Sequence, residues 1–555
     1  MTTLPSDDPT DPRPRRADAT DVPVRTDGIL ERLAALRAAD APTHGGRVLS
    51  YVYDPGLAEL DELAAAAARA VQPVNGLDPT TFTSVAVMER ELVGFARRML
   101  HGPDDGPGTV VGSVTSGGTE SCLLAVKIAR DAFAAEHPGV RPRIVVPTSV
   151  HAAFRKAAHY LDVGLTALPV DPATGSADVA RTLAELRSGP DGGPGDVALV
   201  VVSAPSYPHG VVDPVAEIAR AAHDLGVPVH VDACVGGWVL PFWEAAGGDT
   251  LPTFDFAVPG VTSISADVHK YGYAPKGASV LLVRGRDRQR RQFFATTAWP
   301  GYPVVNATMS GSRSAAPLAA AWAVSQALGP EGYTALTARC VRATRALTAA
   351  VGEIDGLRVV GTPSGPLIAV AADDAVRPDR RVDPHVWADA VRTRDWVLQP
   401  QPGLVQDDGT RLPHTTHLTV TPVTESVVDD LVDALRAGAD AVRGVARPAA
   451  DVVLGGIAAG LGTSPEDAVE HLAAAGADEI WAVLRAALLD GPGPGETGSA
   501  GHDVDGPEAA GRRDLALPGS LAPLLAVMEA LPGPVAERLL VELVARFSEP
   551  VVPGR

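Results

Sequence analysis

Short apolar runs alternate with helical stretches through the middle of this chain. Residues 143–146, Val197–Ser203, 227–231 and 278–283 are each brief, rich in Val, and bounded by Pro, Gly or Asp. Between them lie segments such as Val215–Asp224 (VAEIARAAHD), whose apolar positions recur at helical spacing. Strands alternating with helices predict an α/β fold, a mostly parallel sheet covered by helices on both faces. Sheets of this kind take ligands beyond the carboxyl ends of their strands, so polar residues just past a strand are the first candidates for chemistry.

The texture changes near Ala315, where APLAAAWAVSQAL predicts a long helix, followed by strands at Leu367–Ala372 (LIAVAA) and 417–423 (HLTVTPV). That suits a smaller C-terminal α/β domain at 315–442, folded back on a large domain at 96–314. Before the large domain come a disordered tail (1–27) and a helical segment (28–95). After the small domain, an extension (443–555) has helical patches at 466–489 and 521–547, and the Gly/Pro/Asp-rich stretch 490–519 between them predicts a flexible linker.

Composition narrows the function classes. A chain of 555 residues with 46% hydrophobic and 21% charged residues is a soluble globular protein of more than one domain. Its 67 acidic against 47 basic residues exclude nucleic acid as a general partner. The three cysteines, Cys122, Cys234 and Cys340, contain no C-x-x-C pair. Neither a disulfide framework nor a zinc knuckle is expected, and a reducing cytoplasm fits. No apolar run is long enough for a membrane span, and the first 26 residues lack the apolar region of a secretory signal.

Three segments carry candidate chemistry. GSVTSGGTES (112–121) precedes a helical pattern, and small residues before a helix N-terminus suit a phosphate, although Thr119 or Ser121 also reads as a plain N-cap. VPVHVDAC (227–234) sets Asp232 at the carboxyl end of a strand, where a buried carboxylate needs a partner such as a pyridinium nitrogen, a lysine, an arginine or a helix N-terminus. SISADVHKYGYAPKGASVLL (263–282) places Lys270 in an uncharged, turn-rich loop, a setting for Schiff-base chemistry and not for a solvated surface lysine. A phosphate loop, a strand-end Asp and a loop Lys together meet three requirements of pyridoxal 5'-phosphate.

The motifs VTSGGTES, HAAFRKAAHY, APSYPHGVVDP, HVDACVGGW, VTSISADVHKYGYAPKGAS and SGSR then stand in an order that resembles the sphingosine-1-phosphate lyase family, a branch of the group II pyridoxal-dependent decarboxylases, from about Arg47 to Val442. The resemblance implies the fold type I architecture of the aspartate aminotransferase class. It implies that Lys270 forms the Schiff base, that Asp232 pairs with the pyridine nitrogen and that His151 stacks on the ring. It assigns Gly118, Thr119 and His269 to the cofactor phosphate. Gly311 and Ser312 match a loop that reaches the cofactor of the neighbouring subunit, which implies a homodimer, with the 28–95 segment contributing to dimer and site. Lys276 matches a residue near the substrate phosphate, Tyr53 one near the reacting end, and Asn75 the asparagine of an N-P-L-H-P segment. The family histidine of that segment is Asp78 here, and Val304 stands where a tyrosine is expected, with Tyr302 two places earlier.

The implied reaction is retro-aldol cleavage of a phosphorylated amino alcohol to an aldehyde and phosphoethanolamine. An L-amino-acid decarboxylase would share the cofactor residues. A non-catalytic binding protein would need a degenerate site, whereas Lys270, Asp232 and the Gly-rich loop are all present. His151 also reads as a helix cap, and Tyr207 and His209 as pocket lining or as a Pro-rich turn. His414 and His417 are rejected as metal ligands, because positions three apart on a strand face opposite sides.

Overall fold

Two hydrophobic layers flank a seven-stranded sheet in the computed structural model, which describes residues 26–447, 449–488 and 520–550. The stretch 490–519 and residues 1–25 of the N-terminal tail lie outside the described residues. Residues up to Pro42 form a unit of their own, whose helix α1 (Ile29–Arg37) leaves Ile29, Leu30, Leu33 and Leu36 exposed. The described residues from Thr43 onward form the other unit.

In that larger unit α2 (Ala58–Ala70) and α3 (Thr83–Met99) pack on a long helix, Ala316–Gly352. The sheet holds β1 (Val110–Thr115), β2 (Arg143–Pro147), β3 (Gly164–Leu168), β4 (Val197–Ser203), β5 (Val229–Asp232), β6 (Val261–Asp267) and β7 (Ser279–Arg284), in the order β1-β7-β6-β5-β4-β2-β3. Strands β2 to β6 pair in parallel. The exception is β7, antiparallel to both β1 and β6. Its connection from β6, residues 268–278, is too short for a crossover, so the chain must turn straight back. Lys270 sits in that return.

Every residue of β4 is buried, the mark of a strand covered on both faces. Val145, Val200 and Val202 face one layer, which includes Val215 and Ile218 of α7 (Val215–Asp224). Their neighbours Ile144, Leu199 and Val201 face the other, beside Leu123 and Val126 of α4 (Gly118–Glu136) and Phe154 and Ala157 of α5 (Ala152–Leu161). Two short helices, α6 (Val179–Glu185) and α8 (Arg286–Arg290), complete this domain, and β8 (Phe294–Thr296) and β9 (Val304–Asn306) form a separate hairpin.

The long helix, α9 (Ala316–Gly352), breaks at Gly329 (φ 55°, ψ −177°), just before Pro330. A proline disfavours helical backbone at the preceding residue, so one periodic run yields two segments. The first packs through Leu318 and Val324 into the main core, the second through Leu347 and Val351 into the core of the small domain. That domain is an antiparallel sheet of β10 (Leu357–Val359), β11 (Leu367–Ala372), β12 (Gln399–Gln401) and the strand Thr415–Thr419, backed by α10 (Pro384–Arg392) and α11 (Val428–Val442). The strand expected at 417–423 is thus displaced toward the N-terminus. Pro422 opens a 3₁₀ turn capped reciprocally by Thr421 and Thr424, which ends strand pairing.

Beyond Arg443 lie α12 (Ala450–Leu461), α13 (Pro465–Ala474), α14 (Ala477–Leu488) and the helices Ala522–Ala530 and Gly533–Ser548, around a core that includes Leu472, Ile480, Val527 and Leu539. Two polar anchors join them to the small domain. Asp389 of α10 accepts bonds from Ser520 Oγ (2.6 Å) and the Leu521 and Ala522 amides (3.0 Å each). Glu529, its side chain only 4% exposed, accepts from Arg411 of the small domain (3.4 Å) and, within the extension, from Arg447 at 2.7 and 3.0 Å. Replacing Glu529 by alanine strands the Arg447 charge in a largely buried setting and should cost about 2 kcal/mol. Limited proteolysis should then cut the extension faster while leaving cofactor absorbance unchanged.

Candidate active site

The candidate residues converge where β5, β6 and β1 end. Asp232 closes β5 and is buried, with its Oδ1 accepting from the Cys234 amide (3.1 Å) and Ser265 Oγ (3.3 Å). Burial opposes its charge, but the His151 ring, the Cys234 bond and Lys270 outweigh that and hold its pKa below the ordinary carboxylate value.

Lys270 Nζ lies 3.0 Å from Oδ2 of Asp267, the last residue of β6. Burial disfavours the ammonium, yet Asp267, followed by Tyr53, Cys234 and Asp232, raises its pKa well above that of a free lysine. Asp267 is 2% exposed and its Oδ1 has no hydrogen-bond partner. Sequence reading passed over this residue. Its position three before Lys270, at a strand's carboxyl end, was the available signal.

The Gly-rich segment leaves β1 and enters α4, whose N-terminus carries no side-chain cap bond. Ser116 donates through its amide (2.6 Å) and hydroxyl (2.8 Å) to Glu120, fixing the turn from within the helix. Thr119 is exposed at the start of the helix. His269 donates through Nδ1 to the Ala278 carbonyl (2.9 Å), and its Cε1 lies 3.5 Å from where a Gly117 Cβ would stand. His269 thus stands beside Gly117, next to the uncapped start of α4 that holds Gly118 and Thr119, a fit for a phosphate. A Cβ on Gly118 would fall 2.7 and 2.8 Å from the Asp267 oxygens and 2.8 Å from Cys234 Sγ. Gly118→Ala should consequently displace Asp267 or the loop and weaken pyridoxal phosphate binding by roughly tenfold or more, read by absorbance titration. An unchanged affinity would show that the loop does not hold the phosphate.

These groups fit pyridoxal 5'-phosphate at each end: an amine for its aldehyde, an anion for its ring nitrogen, a helix N-terminus for its phosphate. His151 caps α5, its Nδ1 accepting from the Ala153 amide at 3.2 Å, so the capping role is real. Its ring is exposed and close enough to Asp232 to lower that carboxyl's pKa, so capping leaves a face for a ligand.

Tyr53 packs edge-on against Tyr271 (5.1 Å between centroids), and the Lys276 ammonium sits 4.8 Å from the Tyr53 ring centre. Both line a cavity of about 540 Å³ together with Tyr51 and His269. A smaller cavity of about 290 Å³ shares Tyr51 and is lined by Tyr207 and His209. Tyr207 stacks on His417 (4.3 Å), and burial leaves the Tyr207 hydroxyl and Nδ1 of His209 and His417 unpartnered. Desolvation drops the pKa of His209 to about 4 and of His417 to about 3, so both are neutral at pH 7. His414 bonds Asp383 instead (2.8 Å), and the two histidines do not converge.

Asn75, Gly311 and Ser312 do not line the cavity beside Lys276, although the neighbouring Met309 amide donates to Glu120 of the Gly-rich turn (2.6 Å). Asn75 donates to Ser312 Oγ (3.2 Å) and accepts from the Arg313 amide (3.2 Å). Gly311 and Ser312 line a third cavity, about 1180 Å³, with Asp78, Tyr302 and Val304. Within one chain this cavity is distinct from the one beside Lys276.

Comparison with known proteins matches this arrangement. Residues 61–370 fit the family model described as the pyridoxal-dependent decarboxylase conserved domain. A sphingosine-1-phosphate lyase of Arabidopsis thaliana is 36% identical over 385 residues, 69% of this chain and 65% of that protein. The chain thus spans a little under two thirds of the length of the curated relatives it matches. The solved structure of a sphingosine-1-phosphate lyase from Burkholderia pseudomallei superposes with a TM-score of 0.68 at 33% identity, covering 76% of this chain and 92% of that one. A glutamate decarboxylase from Lactobacillus brevis shares the fold at 20% identity and a TM-score of 0.65, over 77% of this chain and 94% of its own. With more than half of its length inside the family model, and with a bacterial lyase aligned over nearly all of that enzyme, the chain belongs to the sphingosine-1-phosphate lyase branch of the pyridoxal-dependent decarboxylase family.

Proposed function

We propose that the protein is a pyridoxal-phosphate-dependent carbon–carbon lyase that cleaves a phosphorylated amino alcohol to an aldehyde and phosphoethanolamine. The observation that carries this reading is Lys276 beside Tyr53, a cation in a cavity that His269 joins to the Lys270 loop. When bound, pyridoxal phosphate supplies an electron sink for the pair released as a bond to the amine-bearing carbon breaks.

Cleavage needs a group to take the carbinol proton and a group to return a proton to carbon. Burial raises the pKa of both Tyr53 and Tyr207, so neither phenol starts as the base. The Lys270 amine, freed when the substrate's amine takes its place, accepts that proton. Asp267, 3.0 Å away, favours the resulting ammonium, which then delivers the proton to carbon. Tyr53 keeps its proton and orients the hydroxyl as a hydrogen-bond donor.

Lys276 donates to the His269 carbonyl (3.3 Å) and faces the cavity. Burial and then the Lys270 charge lower its pKa to about 8. A depressed lysine is charged below that value and loses its charge as pH rises through it. The KM of a phosphorylated substrate should therefore climb above about pH 8, while that of an unphosphorylated analogue stays flat. Lys276→Gln should raise the first KM by roughly tenfold or more and remove its pH dependence, with kcat little changed. Equal, negligible effects on both substrates would refute the phosphate role.

A homodimer is part of the same reading. The β8–β9 hairpin and the loops around it expose Phe294, Trp299, Tyr302, Val305 and Met309, an apolar group of the kind an interface covers. Gly311 and Ser312 lie on that side, which supports their service to a partner's site. Among the described residues no helix is long and apolar enough to cross a membrane. All three cysteines are free thiols, which accords with a cytoplasmic setting.

The deciding assay incubates cofactor-loaded protein with phosphorylated sphingoid bases and, separately, with L-amino acids, with Lys270→Ala as the blank. Aldehyde plus phosphoethanolamine is expected. Amine plus carbon dioxide from an amino acid, with no aldehyde, would overturn the lyase reading in favour of decarboxylation.

A further inference from the structure

Cys122 and Cys234 have no role in the chemistry above, and 112 positions of chain separate them. The fold nevertheless brings them together. Cys122 comes from the first turns of α4 and Cys234 from just past β5, and their sulfurs lie with an Asp232 oxygen so that all three atoms are within 4.8 Å of one another. All three residues are buried. Cys234 Sγ donates to Ser265 Oγ (3.3 Å), which itself donates to Asp232 Oδ1 (3.3 Å), so a hydroxyl braces both donors. An unpartnered buried oxygen also borders Cys234. The buried, unpartnered Oδ1 of Asp267 and Cys234 Sγ each lie 2.8 Å from the position a Gly118 Cβ would fill.

We propose that Cys122, Cys234 and Asp232 form a binding site for a thiophilic divalent cation of the zinc and cadmium type, available when the cofactor is absent. Two sulfurs and a carboxylate oxygen are the donor set of a tetrahedral site with one position open. Sulfur donors select zinc or cadmium over magnesium or calcium. Atoms within 4.8 Å need only a side-chain adjustment to meet one ion. On binding, each cysteine exchanges its thiol proton for the metal, and two protons leave to solvent. Because Asp232 also serves the pyridine nitrogen, cation and cofactor exclude each other. That clause alone rests on the functional reading above.

The test uses the full chain stripped of cofactor and titrated with cadmium, following the ultraviolet charge-transfer absorption of cadmium–thiolate bonds. One cadmium per chain with the absorption of two thiolates is expected. Cys122→Ser and Cys234→Ala should each weaken binding at least tenfold, and Cys340→Ala should leave it unchanged. Retained pyridoxal phosphate binding by Cys122→Ser would show that the variant folds. No charge-transfer band, or one that persists in the Cys122/Cys234 double variant, overturns the site. Equal cadmium binding before and after loading with pyridoxal phosphate overturns the exclusion clause. Neither result depends on whether the loaded protein cleaves a phosphorylated amino alcohol.

Discussion

Lys270→Ala should fold, yet hold no pyridoxal phosphate that borohydride can fix to the chain, and its turnover should fall at least about a thousandfold. Acid–base work alone accounts for roughly 10²–10⁴-fold in such sites, and the proposed reading makes Lys270 both the attachment point and the proton carrier. The salt bridge to Asp267 makes the fold outcome informative. Removing the ammonium leaves a carboxylate that is 2% exposed without its partner, so some destabilisation accompanies the change. Lys270→Arg keeps that charge and separates the two effects: it should restore stability without restoring cofactor attachment. Borohydride labelling of a different lysine, found by peptide mass, would remove Lys270 from its role.

Asp232→Asn is the second large effect. The carboxylate is buried, and its charge is what favours a protonated ring nitrogen. An amide of the same shape can hydrogen-bond but cannot balance a pyridinium. Breaking a buried pair costs about 3 kcal/mol, which converts to roughly a hundredfold weaker cofactor binding. The kcat should fall as well, since a neutral ring is a poorer electron sink. Both are measurable by absorbance titration and by turnover at saturating cofactor. The Cys234 amide and Ser265 bonds to Oδ1 survive in the asparagine variant, so the loop should keep its shape. A variant that binds cofactor as tightly as the parent would mean that Asp232 is only a structural cap on β5.

Much of this was legible in the chain itself, for physical reasons. Val197–Ser203 and Val215–Asp224 were readable to the residue, because a doubly covered strand is continuously apolar and an amphipathic helix repeats at 3.6. Lys270 and Asp232 stood out because strand ends concentrate function. Asp267 did not, since a third polar residue among Ser, His and Lys has no distinguishing pattern until β6 buries it. The Cys122–Cys234 approach is likewise a product of packing a helix start against a strand end. The displaced strand at Thr415–Thr419 and the interruption of α9 were local matters, each decided by a proline overriding a hydrophobic run. Gly311 and Ser312 line a cavity other than the one beside Lys276, with Asn75 bonded to Ser312, a placement that spacing along the chain does not reveal.

The return of β7 between β1 and β6 has a consequence for how the site is assembled. The β6–β7 hairpin that carries Lys270 closes over a short loop, whereas Thr115, at the head of the phosphate turn, must find Ser279 across 164 residues. Loop-closure entropy lets the first pairing form early and makes the second wait for the strands between them. Lys270 should thus be in place before the Gly-rich turn arrives. A cofactor that engages both then acts as a latch on the slowest closure, and its binding energy adds directly to the stability of the finished sheet.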